Sequence, residues 1–245
     1  MRIALVSDIH GNFVALECVL DELARERIDQ IICLGDIAAL GPQPREVIDR
    51  LRQLGCPVIM GNTDAWLLPS SPAASDTATL RAITQWCAGQ ISDADRAYLQ
   101  ALPPRLEIPL DHSRSLLCYH GSPRSFDDII AATTPAKVVE DMLAGYNAAV
   151  MAGGHTHIQM VRRYKDAHII NVGSIGLPGV NAGSEELPDN RNVRWAEYGV
   201  LDLTDGRLSI DLRRTPLDMM AVLQAGRASG MPHLDWWLAK WDAGS

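Results

Sequence analysis

The first 64 residues alternate short apolar runs with helical patterns, and this alternation limits the folds open to the chain more than any other feature. The apolar runs occupy residues 3–7, 31–34 and 57–60. Two sets of apolar residues at helical spacing separate them: Phe13, Leu16, Leu20 and Leu23, then Val47, Ile48, Leu51 and Leu54. Asn12 would be the N-cap of the first helix. Nearly continuous apolar strands separated by helices are typical of a parallel sheet covered on both faces. We therefore predict an α/β fold.

Metal-binding residue types follow these three runs and two later ones. The five stretches are Asp8-Ile9-His10-Gly11-Asn12, Gly35-Asp36, Gly61-Asn62-Thr63-Asp64, His120-Gly121 and Gly153-Gly154-His155-Thr156-His157. Ligands of open α/β sheets bind beyond the carboxyl ends of the strands, so we expect the five stretches to meet there. Asp8 and His10 lie two residues apart and would face the same side if the strand continued. The glycine pair before His155 and His157 would let both rings point at one centre.

The donor set indicates more than one metal ion. Three aspartate or asparagine oxygens and four imidazoles are too many for one tetrahedral zinc; they are Asp8, His10, Asp36, Asn62, His120, His155 and His157. The set suits two divalent ions such as Mn²⁺, Fe²⁺, Co²⁺, Ni²⁺ or Zn²⁺, of which we favour Mn²⁺. Asp36 is the natural bridging ligand. Two ions about 3.5–4 Å apart clamp the attacking and leaving oxygens of a phosphoryl group and lower the pKa of a bound water.

Residues 65–112 interrupt the alternation with loop and helix patterns, which we interpret as a helical insertion. Pro69 to Pro72 would be a loop, and Ser92-x-x-Asp95 would be the capping box of a helix. It would either pack over the active edge as a cap or be a structural addition beside it. Later strand patterns at residues 115–119, 158–164, 168–172, 198–203 and 208–212 predict a second sheet with antiparallel pairs. Asp205-Gly206 would be a hairpin turn, and residues 179–194 a mobile loop.

The C-terminal tail, residues 215–245, has a helical pattern. Thr215-Pro216 would open its first helix. Its last stretch places Leu234, Trp237, Leu238 and Trp241 on one helical stripe. We predict that this stripe covers the chain's own core, within a single domain that spans residues 1–245.

Composition excludes several classes of function. The chain has 245 residues, a net charge of −8 and no block of five basic residues, which argues against a nucleic-acid-binding patch. Five cysteines without C-x-x-C spacing favour free thiols in a reducing compartment. No signal-peptide core precedes Asp8, and no apolar run approaches the roughly 18 residues of a membrane span. We expect a cytoplasmic protein without membrane partners. The sequence is compatible with a homo-oligomer.

The chain resembles the calcineurin-like metallophosphoesterase superfamily, and most closely its small bacterial and archaeal phosphodiesterase branch. The likeness covers about residues 1–64 and 114–203 and lies in five motifs in the same order: D-x-H-G-N, G-D-x-x-x-x-G-P, G-N-x-D, H-G and G-H-T-H. It implies a four-layer αββα sandwich, in which two mixed sheets pack face to face between helices. It also implies one metal on Asp8, His10, Asp36 and His157, and another on Asp36, Asn62, His120 and His155.

The resemblance implies a binuclear phosphodiesterase whose nucleophile is a metal-bridging hydroxide. A hydrolase of dinucleoside polyphosphates or phosphomonoesters is the alternative, with a small phosphoester or nucleotide as substrate. A scaffold of the retromer type shares the fold but has lost metal ligands, whereas this chain retains all seven.

Two positions depart from the family pattern. Thr63 stands where the protein-phosphatase relatives carry a general-acid histidine, and Val172 replaces a proline in the N-P-G-S stretch. Among the remaining residues we assign Asp64 and Asn12 to the catalytic machinery, Asp64 by orienting a metal-ligating histidine. We expect Arg124 to contact substrate phosphate, with a surface salt bridge as the alternative.

Overall fold

The computed structural model describes residues 1–69, 77–179 and 191–241. The strands are β1 (Arg2–Val6), β2 (Gln30–Cys33), β3 (Leu106–Pro109), β4 (Ser115–Cys118), β5 (Val150–Gly153), β6 (Met160–Tyr164), β7 (Ala167–Asn171), β8 (Trp195–Thr204) and β9 (Arg207–Pro216). The helices are α1 (Phe13–Leu23), α2 (Pro44–Leu54), α3 (Asn62–Trp66), α4 (Ala78–Gln90), α5 (Asp93–Gln100), α6 (Ala136–Met142), α7 (Met219–Ser229) and α8 (Leu234–Ala239).

The strands form two mixed sheets. The first has the order β2-β1-β8-β9, with β1 and β2 parallel and the other pairs antiparallel. The second has the order β3-β4-β5-β7-β6, in which β4, β5 and β7 are parallel and both edge strands antiparallel. The later half of the chain was expected to form one further sheet, but β8 returns to pair with β1 in the first.

Three hydrophobic cores separate four layers. Alternate residues of β1 lie in two of these cores. Ala4 and Val6 face the helices α1, α2, α4, α7 and α8, whereas Ile3 and Leu5 face the second sheet. The outer face of the second sheet packs against the segment that contains Val139 and Met142 of α6. Both faces of the central strands are therefore buried, as their continuous apolar sequences predict. The predicted αββα sandwich is confirmed.

Two predicted boundaries were wrong. Residues 57–60 pair with β2 at one position only, because the Met60 N–H bonds to the Pro103 carbonyl instead of extending the ladder. Thr215-Pro216 ends β9 instead of opening a helix: proline is tolerated on this edge strand, and Asp218 caps α7.

The segment 65–112 contributes helices to the first helical layer and a strand to the second sheet. Helices α4 and α5 extend the first helical layer, and the Cys87 thiol lies 3.6 Å from the Gly41 carbonyl. The segment is not wholly helical, since it ends in β3, an edge strand of the second sheet. The predicted loop at Pro69 to Pro72 overlaps residues 70–76, and the predicted mobile loop at 179–194 overlaps residues 180–190. Both of those ranges lie outside the described residues.

The C-terminal stripe covers the chain's own core, as predicted. Trp237 is fully buried, and Trp241 lies beside it at 5.8 Å between ring centroids. A Cβ at Gly226 would meet the Trp237 ring at 2.7 Å, so a residue without a side chain is needed there for α7 and α8 to pack. Among the helices that the structure describes, none has the length and apolar character of a membrane span.

Candidate metal centre

The predicted ligands all lie at one edge of the two sheets. Asp8 and His10 follow β1, Asp36 follows β2, His120 follows β4, and His155 and His157 follow β5. Asn62 begins α3, directly after the segment that pairs with β2. His155 is half-buried and the others are buried. The parallel strands of both sheets thus bring their carboxyl ends to the same place.

The donor atoms form two adjoining clusters. One consists of Asp8, His10 and His157, the other of Asp36, His120 and His155, and within each the ligand atoms lie within 4.8 Å of one another. His155 and His157 therefore serve different clusters instead of pointing at one centre. Both backbones are left-handed, with φ of 68° and 59°, and the ring of His157 lies beside His10 whereas that of His155 lies beside His120.

The carboxylate of Asp36 lies between the two clusters. Its Oδ2 is 3.3 Å from His120 Nε2 and 3.7 Å from His10 Nε2. The second cluster has a further oxygen donor, because Asn62 Oδ1 lies 3.1 Å from His120 Nε2. In the first cluster, His157 Nε2 is 3.2 Å from Asp8 Oδ1 and 3.1 Å from His10 Nε2. Asp36 therefore lies next to donor atoms of both clusters.

Three of the predicted ligands have a strained backbone conformation. Asp8, His10 and Asp36 have φ values of 52°, 46° and 54°, a conformation that few non-glycine residues adopt. The β1 strand does not continue to His10, so alternation along a strand is not what brings Asp8 and His10 together. Such residues cost about 1–3 kcal/mol each and cluster at functional sites.

Two glycines allow close approach to the aspartates. A Cβ at Gly61 would collide with the Asp36 carboxylate and backbone nitrogen, and one at Gly154 would collide with Ser7 and the Asp8 carboxylate. Larger residues would displace the ligands, which gives a physical reason for glycine in both motifs.

Three histidines are oriented through their second ring nitrogen. Nδ1 of His10, His120 and His157 lies 3.1, 2.8 and 2.7 Å from the carbonyl oxygens of Ala39, Leu34 and Leu177, respectively. A carbonyl only accepts, so each Nδ1 donates, and each Nε2 is directed at the cluster. This arrangement is usual for metal-ligating histidines.

The charges also suit a cation. Burial opposes the charged forms of Asp8 and Asp36, but the neighbouring histidines outweigh it and hold the pKa of both carboxyls below the usual range. Burial lowers the pKa of His10 to about 4, so its ring is neutral and its Nε2 can offer a lone pair to a metal ion. Among the described residues, only site histidines form salt bridges with these carboxylates. Buried carboxylates without lysine or arginine partners are typical of metal sites.

Asp64 holds the Asp36 loop, not a histidine ring as we had expected. Its carboxylate accepts hydrogen bonds from the backbone N–H groups of Asp36, Ile37, Ala38 and Gly61, at 2.7 to 3.4 Å. Burial, together with the charge of Asp36, raises its pKa to about 7. Sequence reasoning missed this role because the partners are main-chain groups.

Asn12 is bonded within the protein at both ends of its amide. Oδ1 accepts from the Ala15 N–H at 3.1 Å, which caps α1 as its sequence position predicts, and Nδ2 donates to the Gly176 carbonyl at 3.1 Å. Arg124 pairs with Asp128 at 2.7 Å and its side chain is about half exposed. The catalytic role of Asn12 and the substrate contact of Arg124 stay predictions.

The segment after β7 contributes contacts that sequence reasoning did not assign. Residues 172–177 contact the backbone of residues 7–9 and accept the hydrogen bond of His157. The sequence signal was the likeness of Asn171-Val172-Gly173-Ser174 to the family's N-P-G-S stretch, which showed none of these contacts.

The chain is similar to known phosphoesterases. Residues 1–191 match the calcineurin-like phosphoesterase superfamily domain. An uncharacterised protein of Methanocaldococcus jannaschii is 27% identical over 213 residues, 85% of each chain. Phosphodiesterase YfcE of Escherichia coli is 25% identical over 203 residues, 78% of this chain and 88% of that protein. The crystal structure of a metallophosphoesterase from Sphaerobacter thermophilus has a TM-score of 0.74 and 26% identity, and the likeness covers 98% of both chains.

The family match extends from β1 through all five ligand stretches, and so includes both donor clusters. Metal dependence and phosphoester hydrolysis are properties of that family. The chain therefore belongs to the calcineurin-like phosphoesterase superfamily and is a hydrolase that acts on phosphoesters.

Proposed function

We propose that the protein is a phosphodiesterase with a binuclear metal centre. The observation that carries this proposal is the position of Asp36, whose Oδ2 lies within 3.7 Å of a histidine nitrogen from each donor cluster. A carboxylate is the side chain that can bridge two ions, and the clusters on either side supply imidazole and carboxylate donors to both.

One ion would be held by Asp8, His10, Asp36 and His157, and the other by Asp36, Asn62, His120 and His155. The imidazole and carboxylate donors fit Mn²⁺, Fe²⁺, Co²⁺, Ni²⁺ or Zn²⁺, with Mn²⁺ favoured. When bound, such a pair neutralises phosphoryl charge and supplies a hydroxide nucleophile from water at neutral pH.

The chain's own residues keep these donors in place. Asp64 fixes the loop of Asp36, and Asn12 joins the start of α1 to Gly176. Carbonyl groups fix the histidine rings so that each presents Nε2. Arg124, two residues beyond Ser122 in the loop after His120, would contact a substrate phosphate if it released Asp128.

The threonine at position 63 favours a phosphodiester substrate with a stable leaving group. Its side chain is buried beside Asn62, and its hydroxyl has no hydrogen-bond partner among the described residues. A hydroxyl has too high a pKa to act as the acid that a histidine supplies, a contribution of about 10²–10⁴-fold. Substrates whose leaving group is already stable, such as aryl esters or nucleotide phosphates, need that acid least. The similarity to YfcE, a phosphodiesterase, supports this preference.

The experiment is a substrate screen with metal-depleted protein reconstituted with each candidate ion. We expect kcat/KM for an aryl phosphodiester to exceed that for the matching monoester, with Mn²⁺ among the activating ions. The panel includes cyclic nucleotides and dinucleoside polyphosphates. A higher kcat/KM for monoesters or dinucleoside polyphosphates would replace the diester proposal with that activity.

Metal analysis tests the binuclear part separately. We expect about two equivalents in the wild-type protein, and Asp36→Ala should lose both together with activity because both ions share this ligand. His157→Ala is the matched variant, since it should weaken one site only. An Asp36→Ala protein with wild-type activity would contradict a shared centre.

A further inference from the structure

Residues 171–177, here called the clamp loop, connect the end of β7 to the backbone of the first metal-ligand stretch. The Ser174 hydroxyl donates to the Asp8 carbonyl at 2.8 Å, and the Gly176 N–H donates to the same oxygen at 2.9 Å. The Ile175 N–H bonds to the Ser7 carbonyl at 3.0 Å. The clamp loop therefore holds the turn that points the Asp8 carboxylate into the site.

The same loop orients a second ligand of that cluster. The Leu177 carbonyl accepts the hydrogen bond of His157 Nδ1 at 2.7 Å, and the Leu177 N–H donates to Ser174 Oγ at 2.9 Å. One serine hydroxyl thus connects the Asp8 carbonyl with the N–H of Leu177, the residue whose carbonyl orients His157. Ser174 is fully buried, so water does not replace these bonds.

The clamp loop is anchored in both sheets. Asn171, at the end of β7, donates to the Gly154 carbonyl at 2.5 Å and to Thr156 Oγ1 at 3.0 Å, and its Oδ1 accepts from the Gly173 N–H. On the other side, the Glu197 N–H of β8 donates to the Ser174 carbonyl at 2.9 Å. These bonds to both sheets hold the clamp loop in place, and the loop in turn holds the Asp8 turn.

The other cluster is positioned from elsewhere. Asp64 holds the backbone of Asp36, and the Leu34 carbonyl orients His120. The two halves of the centre thus differ in their main supports, although Asp36 lies between them and the His155 N–H donates to the Asp8 carboxylate at 3.1 Å.

We propose that Ser174 is a positioning residue that sets the metal affinity of one half of the centre, the half formed by Asp8, His10 and His157. The Asp8 backbone has a φ of 52°, which persists only where its surroundings enforce it. Removing the hydroxyl takes one of two hydrogen bonds from the Asp8 carbonyl and leaves the Leu177 N–H without its acceptor, while Asp64 and Leu34 still hold the other half. This inference rests on the proposed binuclear centre.

The test measures Mn²⁺ affinity in two single-site backgrounds. His155→Ala leaves the half that contains Asp8, and His157→Ala leaves the half that contains His120. We expect Ser174→Ala to weaken Mn²⁺ binding about 10–100-fold in the first background, the usual effect of losing such an outer partner, and to leave it unchanged in the second. Titration with detection of free Mn²⁺ by electron paramagnetic resonance gives both dissociation constants.

Ser122→Ala is the matched control. Ser122 is also a buried serine, but it lies two residues after His120 and donates to Asp128 at 2.6 Å. We expect it to leave affinity in the His155→Ala background unchanged. Equal weakening by Ser174→Ala in both backgrounds, or in neither, would overturn the inference.

Thermal unfolding of metal-free Ser174→Ala separates positioning from folding. A cooperative transition near that of the wild-type protein supports a local role, and its loss would show that the serine is needed for the fold, which also overturns the inference. Failure of the binuclear proposal has a different readout, namely a wild-type protein that binds fewer than two Mn²⁺ ions.

Discussion

Asp36 illustrates how one residue of the site depends on its neighbours. Its carboxylate approaches histidines of both clusters, and its Oδ1 accepts from the Thr63 N–H at 2.9 Å. Its own N–H donates to Asp64, and its backbone is left-handed. A change at any of these partners is expected to move the carboxylate.

Gly61→Ala tests this crowding. The added Cβ would meet the Asp36 carboxylate and the Asp36 backbone nitrogen. We expect a loss of about 1–3 kcal/mol in the free energy of unfolding, as for overpacking elsewhere, together with weaker metal binding. Urea denaturation and metal titration measure the two effects.

Gly89→Ala is the control, because its Cβ would meet nothing within 4 Å on helix α4. Alanine is favoured over glycine inside a helix by about 1 kcal/mol, so this variant should be as stable as the wild type or more so. If Gly61→Ala behaves like Gly89→Ala, the crowding at Asp36 does not constrain the site.

Thr63→His tests the missing acid. We expect the wild-type rate to depend steeply on leaving-group pKa, and an imidazole at this position to flatten that dependence and raise monoester activity. The measurement is kcat/KM over a series of aryl esters. Thr63→Val, which also removes the hydroxyl but adds no acid, should keep the steep dependence. A flat dependence in the wild type, with chemistry rate-limiting, would show that another residue supplies the proton.

At the scale of elements, helix α5 shows how the segment 65–112 is joined to the rest of the fold. Asp95 accepts from the Ser92 N–H and hydroxyl at 2.9 and 2.7 Å, which forms the capping box predicted from the sequence. It also binds Arg52 of α2 at 2.7 Å. One carboxylate therefore caps its own helix and connects it to a neighbour.

The pKa of Asp95 gives a pH prediction. Burial raises it, but the Ser92 hydrogen bonds and Arg52 outweigh burial and lower it. A lowered folded pKa gives stability that is present above the unfolded value of about 3.9 and is lost as pH falls through the folded pKa. We expect Asp95→Asn to cost about 1 kcal/mol at pH 7, the usual loss at a helix cap.

Denaturant unfolding from pH 7 to pH 3 is the measurement, and the difference between Asp95→Asn and the wild type should shrink as the pH falls. Asp93→Asn, in the same helical turn but fully exposed, should show little of this dependence. A stability difference that stays constant over this pH range would contradict a role for the Asp95 charge.

At the scale of the whole molecule, the C-terminal helices complete the first helical layer. Helices α7 and α8 pack against a core that also includes α1 and β8. The chain thus returns twice to its beginning, first as strands beside β1 and then as helices over α1. Residues far apart in sequence therefore stabilise the sheet whose strand ends hold Asp8 and Asp36.

Trp237→Ala tests this closing layer. Trp237 is fully buried, so its truncation should cost about 3–5 kcal/mol of unfolding free energy. The adjacent Trp236 is 37% exposed and stacks with Lys240, and Trp236→Ala should change stability by less than about 0.5 kcal/mol. Guanidinium unfolding of both variants checks the contrast, and similar losses would show that the stripe is not the buried face.

The sequence by itself predicted the parallel strands, most helices and the set of metal-ligand residues. These features depend on local information: apolar runs, helical spacing, caps such as Asn12 and Ser92, and polar residues at strand ends. The hairpin turn at Asp205-Gly206 was predictable for the same reason, since both residues have positive φ and the strands on either side pair directly.

Only the tertiary structure decided which sheet β8 and β9 join and what Asp64 and Ser174 hold. Each of these depends on main-chain groups from distant parts of the chain, and every residue carries the same N–H and carbonyl. A residue's type therefore shows that it can donate or bind, but only the packing of the two sheets determines which backbone group it meets.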